Sequence, residues 1–331
     1  VKIGVIGVGR IGTYHTDILL HLDDVASVGV ADLDAGRARD VAVELGVEAH
    51  RDIDDLIARS DAVVIAAATS AHAELILRCA AAGKPTFCEK PISLDLASTR
   101  EVVTEVTAHG IPLQMGFQRR FDPGYVAAAD LVASGDLGAL YVVRMAGHDP
   151  EPPHESYIPH SGGIFRDFSV HDFDAVRFVT GEEVVEVYAD GSVVAFPVFA
   201  RYDDVDTAVA TLRFTGGALG ILSVARHDPL GYDIRMELFG SRDSVAVGWD
   251  DRTPLRSIEP GVPPPPGPAY RNFQERFRPA YTAELAAFLE VARGERPSPC
   301  TADDAYQALR IAVACDRSRA EHRPVALEEI A

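Results

Sequence analysis

The chain has 331 residues, 47% of them hydrophobic and 24% charged, and its 31 basic against 50 acidic side chains leave a formal charge of −19. That composition excludes a mainly disordered chain, and at about 150 residues per domain the length predicts two domains whose cores need no disulfide or metal staple. So acidic a surface argues against nucleic acid as a partner, and no stretch reaches the roughly 18 uninterrupted apolar residues of a membrane span.

The opening Val1-Lys2-Ile3-Gly4-Val5-Ile6 lacks the pattern of a secretory signal. Cys79, Cys88, Cys300 and Cys315 are widely spaced and form no C-x-x-C pair. Reduced structural thiols in a cytoplasmic protein are therefore expected.

Short apolar runs at Val1–Gly7, Ser27–Asp32, Ala62–Ala68, Thr86–Glu89 and Ile111–Phe117 read as buried strands. Between them Gly12–Leu22, Ala35–Leu45, Ile53–Ala58, Ala71–Ala82 and Leu94–His109 read as helices. Continuous apolar strands alternating with helices predict a doubly wound parallel sheet over residues 1–118. From 119 to 331 the rhythm changes. Leu140–Gly147, Val184–Val194, Asp206–Phe214, Ala218–Ala225 and Ile234–Phe239 are strand candidates, with Gly216-Gly217 a hairpin turn. A predominantly antiparallel open sheet in an α+β domain follows. Asp250–Pro268 reads as a proline-rich loop, and Tyr270–Arg293 and Thr301–His322 as closing helices.

Gly7-Val8-Gly9-Arg10-Ile11-Gly12 places G-x-G-x-x-G between the first strand and the first helix. Gly7 permits the tight turn, Gly9 lets a pyrophosphate approach the backbone, and Gly12 allows close helix–strand packing. Asp32, 20 residues after Gly12, ends the next strand, where a carboxylate accepts from an adenosine ribose and repels a 2′-phosphate. The expected cofactor is NAD, with NADP left open because Arg37 is close enough to offset Asp32. Ligands of such sheets bind at the carboxyl ends of the strands. Thr69-Ser70-Ala71-His72 stands at one of these ends, where Thr69 or Ser70 reads equally as a helix cap or a cofactor contact. Glu89-Lys90-Pro91 stands at another.

Asp167-Phe168-Ser169-Val170-His171 follows Gly162-Gly163. On a helix opening there, Asp167 and His171 share one face, and the positive dipole end favours the neutral imidazole a general base requires. An Asp–His surface pair at helical spacing is the alternative. No compact metal-ligand pattern joins His148, His154, His160, Asp167 and His171, so no metal is expected.

The glycine motif, Glu89-Lys90-Pro91 and Gly162-Gly163…Asp167-x-x-x-His171, in this order, resemble the glucose–fructose oxidoreductase/inositol dehydrogenase (Gfo/Idh/MocA) family. Ala280-Tyr281…Glu284…Phe288 and Arg323-Pro324-Val325 extend the resemblance over nearly the whole chain, which is most similar to inositol 2-dehydrogenases. The resemblance implies catalytic roles for Lys90, Asp167 and His171, with Asp167 orienting either of the other two. It implies a cofactor site of Gly7, Gly9, Arg10, Ile11, Gly12, Asp32, Thr69, His72, Glu89 and Lys90. His148 and Asp149 fall where inositol dehydrogenases offer a His and an Asn to hydroxyls; Asp149 only accepts where an amide also donates. Arg119, within Gln118–Phe121, reads as a substrate contact or as part of a domain junction. The expected reaction is NAD-dependent oxidation of a secondary ring hydroxyl of an inositol to a ketone, by a homodimer or homotetramer. A sugar or keto-sugar dehydrogenase and a catalytically silent NAD-binding regulator are the alternatives.

Overall fold

The apolar run at the N-terminus forms β1 (Lys2–Ile6), buried from Ile3 onward. It is followed by α1 (Arg10–Leu20), β2 (Ser27–Ala31), α2 (Ala35–Leu45), β3 (Glu48–Ala49), α3 (Ile53–Arg59), β4 (Ala62–Ile65), α4 (Thr69–Ala81), β5 (Thr86–Glu89), α5 (Leu96–His109) and β6 (Leu113–Gly116). The computed structural model describes residues 1–330; Ala331, the last residue of the expected second domain, lies outside them. All six strands are parallel, in the order β3-β2-β1-β4-β5-β6. This is the doubly wound arrangement, whose strand order reverses between β1 and β4 and leaves a crevice at their carboxyl ends. β3, which pairs only at Glu48 and Ala49, is too short to register as a run in the sequence.

The second sheet begins after α6 (Pro123–Ala133), which Asp122 caps by accepting from Gly124 N at 3.0 Å. Then come β7 (Leu140–His148), a short α7 (Ile158–Ser161), a π turn (Phe165–Ser169) running into α8 (Val170–Thr180), and β8 (Val184–Ser192), β9 (Thr207–Phe214), β10 (Leu219–Ala225), β11 (Asp233–Gly240) and β12 (Ser244–Val247). With β13 (Val325–Ala326) the order is β12-β11-β7-β10-β9-β8-β13. Every pairing is antiparallel except β7 with β10. Gly216-Gly217 makes the β9–β10 turn, Gly217 at φ +91° donating to Phe214 O. Alternation along β9 and β10 sends Ala208, Ala210, Leu212, Leu222 and Val224 inward and Val209, Leu219 and Ile221 outward.

The chain divides into two compact units: Val1–Phe121 with Pro279–Gln307, and Asp122–Arg278 with Ala308–Ala331. The second domain was expected to run unbroken from 119; instead Pro279–Gln307 belongs to the Rossmann unit. The reason is packing. Phe288 meets Phe87 at 5.8 Å between ring centroids, Tyr281 meets Tyr14 and His15 at 5.6 Å, and Met115 N donates to Cys300 O. The change of unit falls inside α9 (Phe273–Ala292), where Phe277 leaves helical geometry two residues before Pro279, whose ring and missing N–H interrupt the helix. It reverts inside α10 (Ala302–Glu321). Among the described residues no helix is long and apolar enough to cross a membrane, and all four cysteines are buried free thiols.

Candidate active site

Within the first unit, the turn after β1 has the geometry the glycines predict. Gly7 has φ +85°, and a Cβ there would stand 2.5 Å from Ala67 Cα. A Cβ on Gly12 would stand 1.8 Å from Gly7 O, whereas one on Gly9 would meet no atom within 4 Å. Asp side chains cap α2, α3, α5 and α6, through Asp34, Asp52, Asp95 and Asp122. The helices after the two switch-point strands differ. Gly9 and Ala68 occupy the N-cap positions of α1 and α4 and supply no side-chain cap. Neither Thr69 nor Ser70 is therefore the cap; Thr69 is the first helical residue. Uncapped N–H groups and the positive dipole ends at this reversal suit a pyrophosphate, so these residues fit a dinucleotide. Arg10 and Ile11 open α1, with Arg10 exposed.

Asp32 follows β2. Its Oδ2 accepts from Val8 N at 2.9 Å and its Oδ1 from Asp34 N at 2.9 Å, so it braces the glycine turn. Arg37 Nη1 lies 3.7 Å from Asp32 Oδ2, half exposed.

Glu89, the end of β5, is buried and its Oε1 lies 2.6 Å from His15 Nε2 on α1. His72 is buried as well, with Nδ1 2.7 Å from Pro91 O and Nε2 3.0 Å from Ala67 O. Burial pushes its pKa down, against the pull of the two carbonyls. His72 and His15 thus hold the two sides of the half-buried Lys90, whose bond to Pro91 is cis. Arg119 is buried at 2% exposure in a 3₁₀ turn of this unit, Gln118–Phe121.

Within the second unit, Gly162 and Gly163 adopt φ +84° and +88° and turn the chain into the π turn. A uniform helix carrying Asp167 and His171 was expected. Asp167 sits in the π turn and His171 in the first turn of α8, a local widening of the kind that recurs at functional sites. This opening seats on β7 because position 147 is glycine: a Cβ there would stand 2.5 Å from Phe168 Cε1. Asp167 Oδ1 accepts from Tyr157 Oη at 2.8 Å and Oδ2 from Arg226 Nη1 at 2.9 Å.

Strand register assembles the rest. Ala225 pairs with His148, so Arg226 stands beside Asp149, with Nη1 3.8 Å from Asp149 Oδ2. Asp233 pairs with His148 across β11, its Oδ2 3.3 Å from His148 Nδ1, and Ser223 Oγ lies 3.3 Å from His148 Nε2. His148, Asp228 and Asp233 gather atoms of metal-ligand type, but Arg235 forks Asp233 at 2.7 and 2.9 Å and already supplies the positive charge an ion would bring. Tyr157 and Arg226 were missed in the sequence. Arg226-His227-Asp228 could have been found by its polar character at the end of an alternating strand, whereas Tyr157 in its Pro-flanked segment gives no comparable signal.

A family model described as the oxidoreductase family, NAD-binding Rossmann fold, matches residues 1–117, and one for the GFO/IDH/MocA C-terminal domain matches residues 125–246. The chain is 40% identical to the myo-inositol 2-dehydrogenase of Thermotoga maritima, with 99% of each chain covered. It is similar to a solved probable dehydrogenase from Thermotoga maritima, with TM-score 0.94, 38% identity and 100% of both chains covered. It is also similar to the scyllo-inositol dehydrogenase of Lactobacillus casei, solved with NAD(H) and scyllo-inositol, with TM-score 0.89, 29% identity and 99% of both chains covered. The chain belongs to the NAD-binding GFO/IDH/MocA oxidoreductases.

Proposed function

We propose that the protein oxidises a secondary hydroxyl of an inositol to a ketone with NAD. The observation that carries this reading is the placement of Asp167 and His171 at the opening of α8, seated by Phe168 on the strand that ends in His148, next to Asp149. Asp149 and His148 offer polar atoms to ring hydroxyls, and relatives that share this architecture are named as myo- and scyllo-inositol dehydrogenases.

His171 accepts the hydroxyl proton as general base, and Asp167 stabilises the imidazolium that results. Lys90 supplies a cation to the oxygen as it gains alkoxide character. NAD, when bound, would supply the hydride acceptor, so that the oxidation would yield one ketone, one reduced nicotinamide and one proton. Gly7, Gly9, Arg10, Ile11, Gly12 and Thr69 would hold its phosphates at the uncapped helix ends, and Asp32 its ribose. Tyr157 and Arg226 hold the Asp167 carboxylate. His72 and Glu89 act on the cofactor side by fixing the Lys90 turn.

The test is steady-state reduction of NAD and NADP with myo-inositol, scyllo-inositol, other isomers and common sugars. Turnover with an inositol and NAD is expected. Turnover confined to a sugar, or none with any polyol, overturns the inositol reading.

We further infer that a second copy of the chain covers the outer face of the second sheet. Tyr188, Thr211, Ile221, Arg144 and Glu237 lie in one register row across five strands, and Tyr141, Tyr188, Val209, Leu219 and Ile221 are exposed. An exposed apolar sheet face rimmed by charge suits a homo-oligomer.

A further inference from the structure

Arg226 is 2% exposed, yet among the described residues its Nε and Nη2 are buried without a hydrogen-bond partner. Only Nη1 makes a close contact, to Asp167 Oδ2 at 2.9 Å, with Asp149 Oδ2 at 3.8 Å. Its guanidinium also stands over the Phe168 ring, 5.7 Å from the centroid. Burial works against its charge, and the carboxylates of Asp167, Asp149 and Asp204 more than offset that, holding it above its ordinary value. A buried cation that faces three carboxylates yet hydrogen-bonds through one nitrogen leaves two donors unmatched, so hydrogen bonding alone does not account for its place here. Its effect must be sought in what its charge does to its neighbours.

We propose that Arg226 is a positioning residue of the reaction: a counter-ion shared by Asp149 and Asp167 that fixes the Asp167 carboxylate and keeps the proton affinity of the Asp167–His171 pair low. The proposal rests on the reading of His171 as the base. Two carboxylates, Asp149 and Asp167, converge on one guanidinium, with Asp204 contributing from the segment before β9 and the Tyr157 hydroxyl donating to Asp167 from the other side. Remove the cation, and both acids bind protons more tightly, and with them the imidazole of His171, four residues on from Asp167. The departure at position 149 thereby becomes intelligible: an Asp is tolerable there because Arg226 stands opposite it.

The experiment is the pH profile of kcat/KM with saturating NAD for the wild type, Arg226→Gln, Arg226→Lys, Asp149→Asn and the double variant Asp149→Asn/Arg226→Gln. In Arg226→Gln the acidic limb should move up by about 1–3 pH units, the range an adjacent opposite charge commands. Arg226→Lys should bring it back toward the wild type, and the double variant should fall between, because one of the two acids is gone. Asp149→Asn alone should move the limb down, which keeps the proposal testable if Arg226→Gln does not fold. An acidic limb of Arg226→Gln, or of Asp149→Asn, that superimposes on the wild type overturns the proposal even where the amplitude falls. Full activity in His171→Ala overturns the underlying reading instead, so the two failures are distinguishable.

Discussion

His15 and Glu89 share a buried hydrogen bond of 2.6 Å between Nε2 and Oε1, which ties the helix that follows the glycine turn to the strand end that precedes Lys90. Phe87 and Tyr281 close around the imidazole edge-on, leaving little water to replace either partner. Glu89→Ala should therefore destabilise the protein by about 1–3 kcal/mol, the cost of a buried group left unpaired. Glu89→Gln, which keeps an acceptor, should cost less. Urea unfolding of the two variants checks the order.

The proposed ribose contact of Asp32 makes cofactor choice its test. Asp32→Ser should raise kcat/KM with NADP relative to NAD by about tenfold or more, equivalent to about 1.4 kcal/mol of repulsion removed. Because Asp32 also accepts from Val8 N and Asp34 N, NAD affinity should fall at the same time. A wild-type preference for NADP would contradict this account.

The proton-transfer roles predict that His171→Ala lowers kcat by about 10²–10⁴-fold, the usual range for a positioned base. NAD affinity, measured by fluorescence titration, should change little, since His171 lies outside the first unit. Lys90→Ala should lower kcat too, and the double variant should lose less than the product of the single effects, because both act on one proton transfer. Near-normal kcat in His171→Ala would return the pair to a surface ion pair.

Asp316 on α10 is pushed up to about 6 by burial, against the pull of Arg166, whose Nε lies 2.6 Å away. A carboxyl whose pKa is higher folded than unfolded favours the folded state when protonated. Its contribution is complete below about 4 and is lost as pH rises through about 6. The side chain keeps 25% of its surface exposed, which limits the effect to about 1–2 kcal/mol. Relative to Asp316→Asn, the wild type should gain stability between pH 7 and pH 5 by thermal melts. A constant difference between the two would refute the assignment.

The outer sheet face predicts that Ile221→Glu shifts the protein toward smaller species in light scattering. A wild type that is monomeric at micromolar concentration would end the assembly proposal.

Much of this was legible in the residues themselves. Parallel strands buried on both faces need continuous apolar runs, so β1, β2, β4, β5 and β6 stand out, and the glycine turn, Asp32, Lys90 and the Asp167–His171 spacing are local patterns. The two-residue strands β3 and β13 were invisible because each borrows its order from a neighbour. The return of Pro279–Gln307 to the first unit could not be read either, because an amphipathic helix does not say which core its apolar side will enter. The same holds for the second site cluster. Arg226 meets Asp149 through the register of β10 on β7, and Asp167 through the packing of Phe168 over Gly147. Local pattern determines which groups a chain offers for chemistry; long-range pairing, which no local window contains, decides which charges those groups must face.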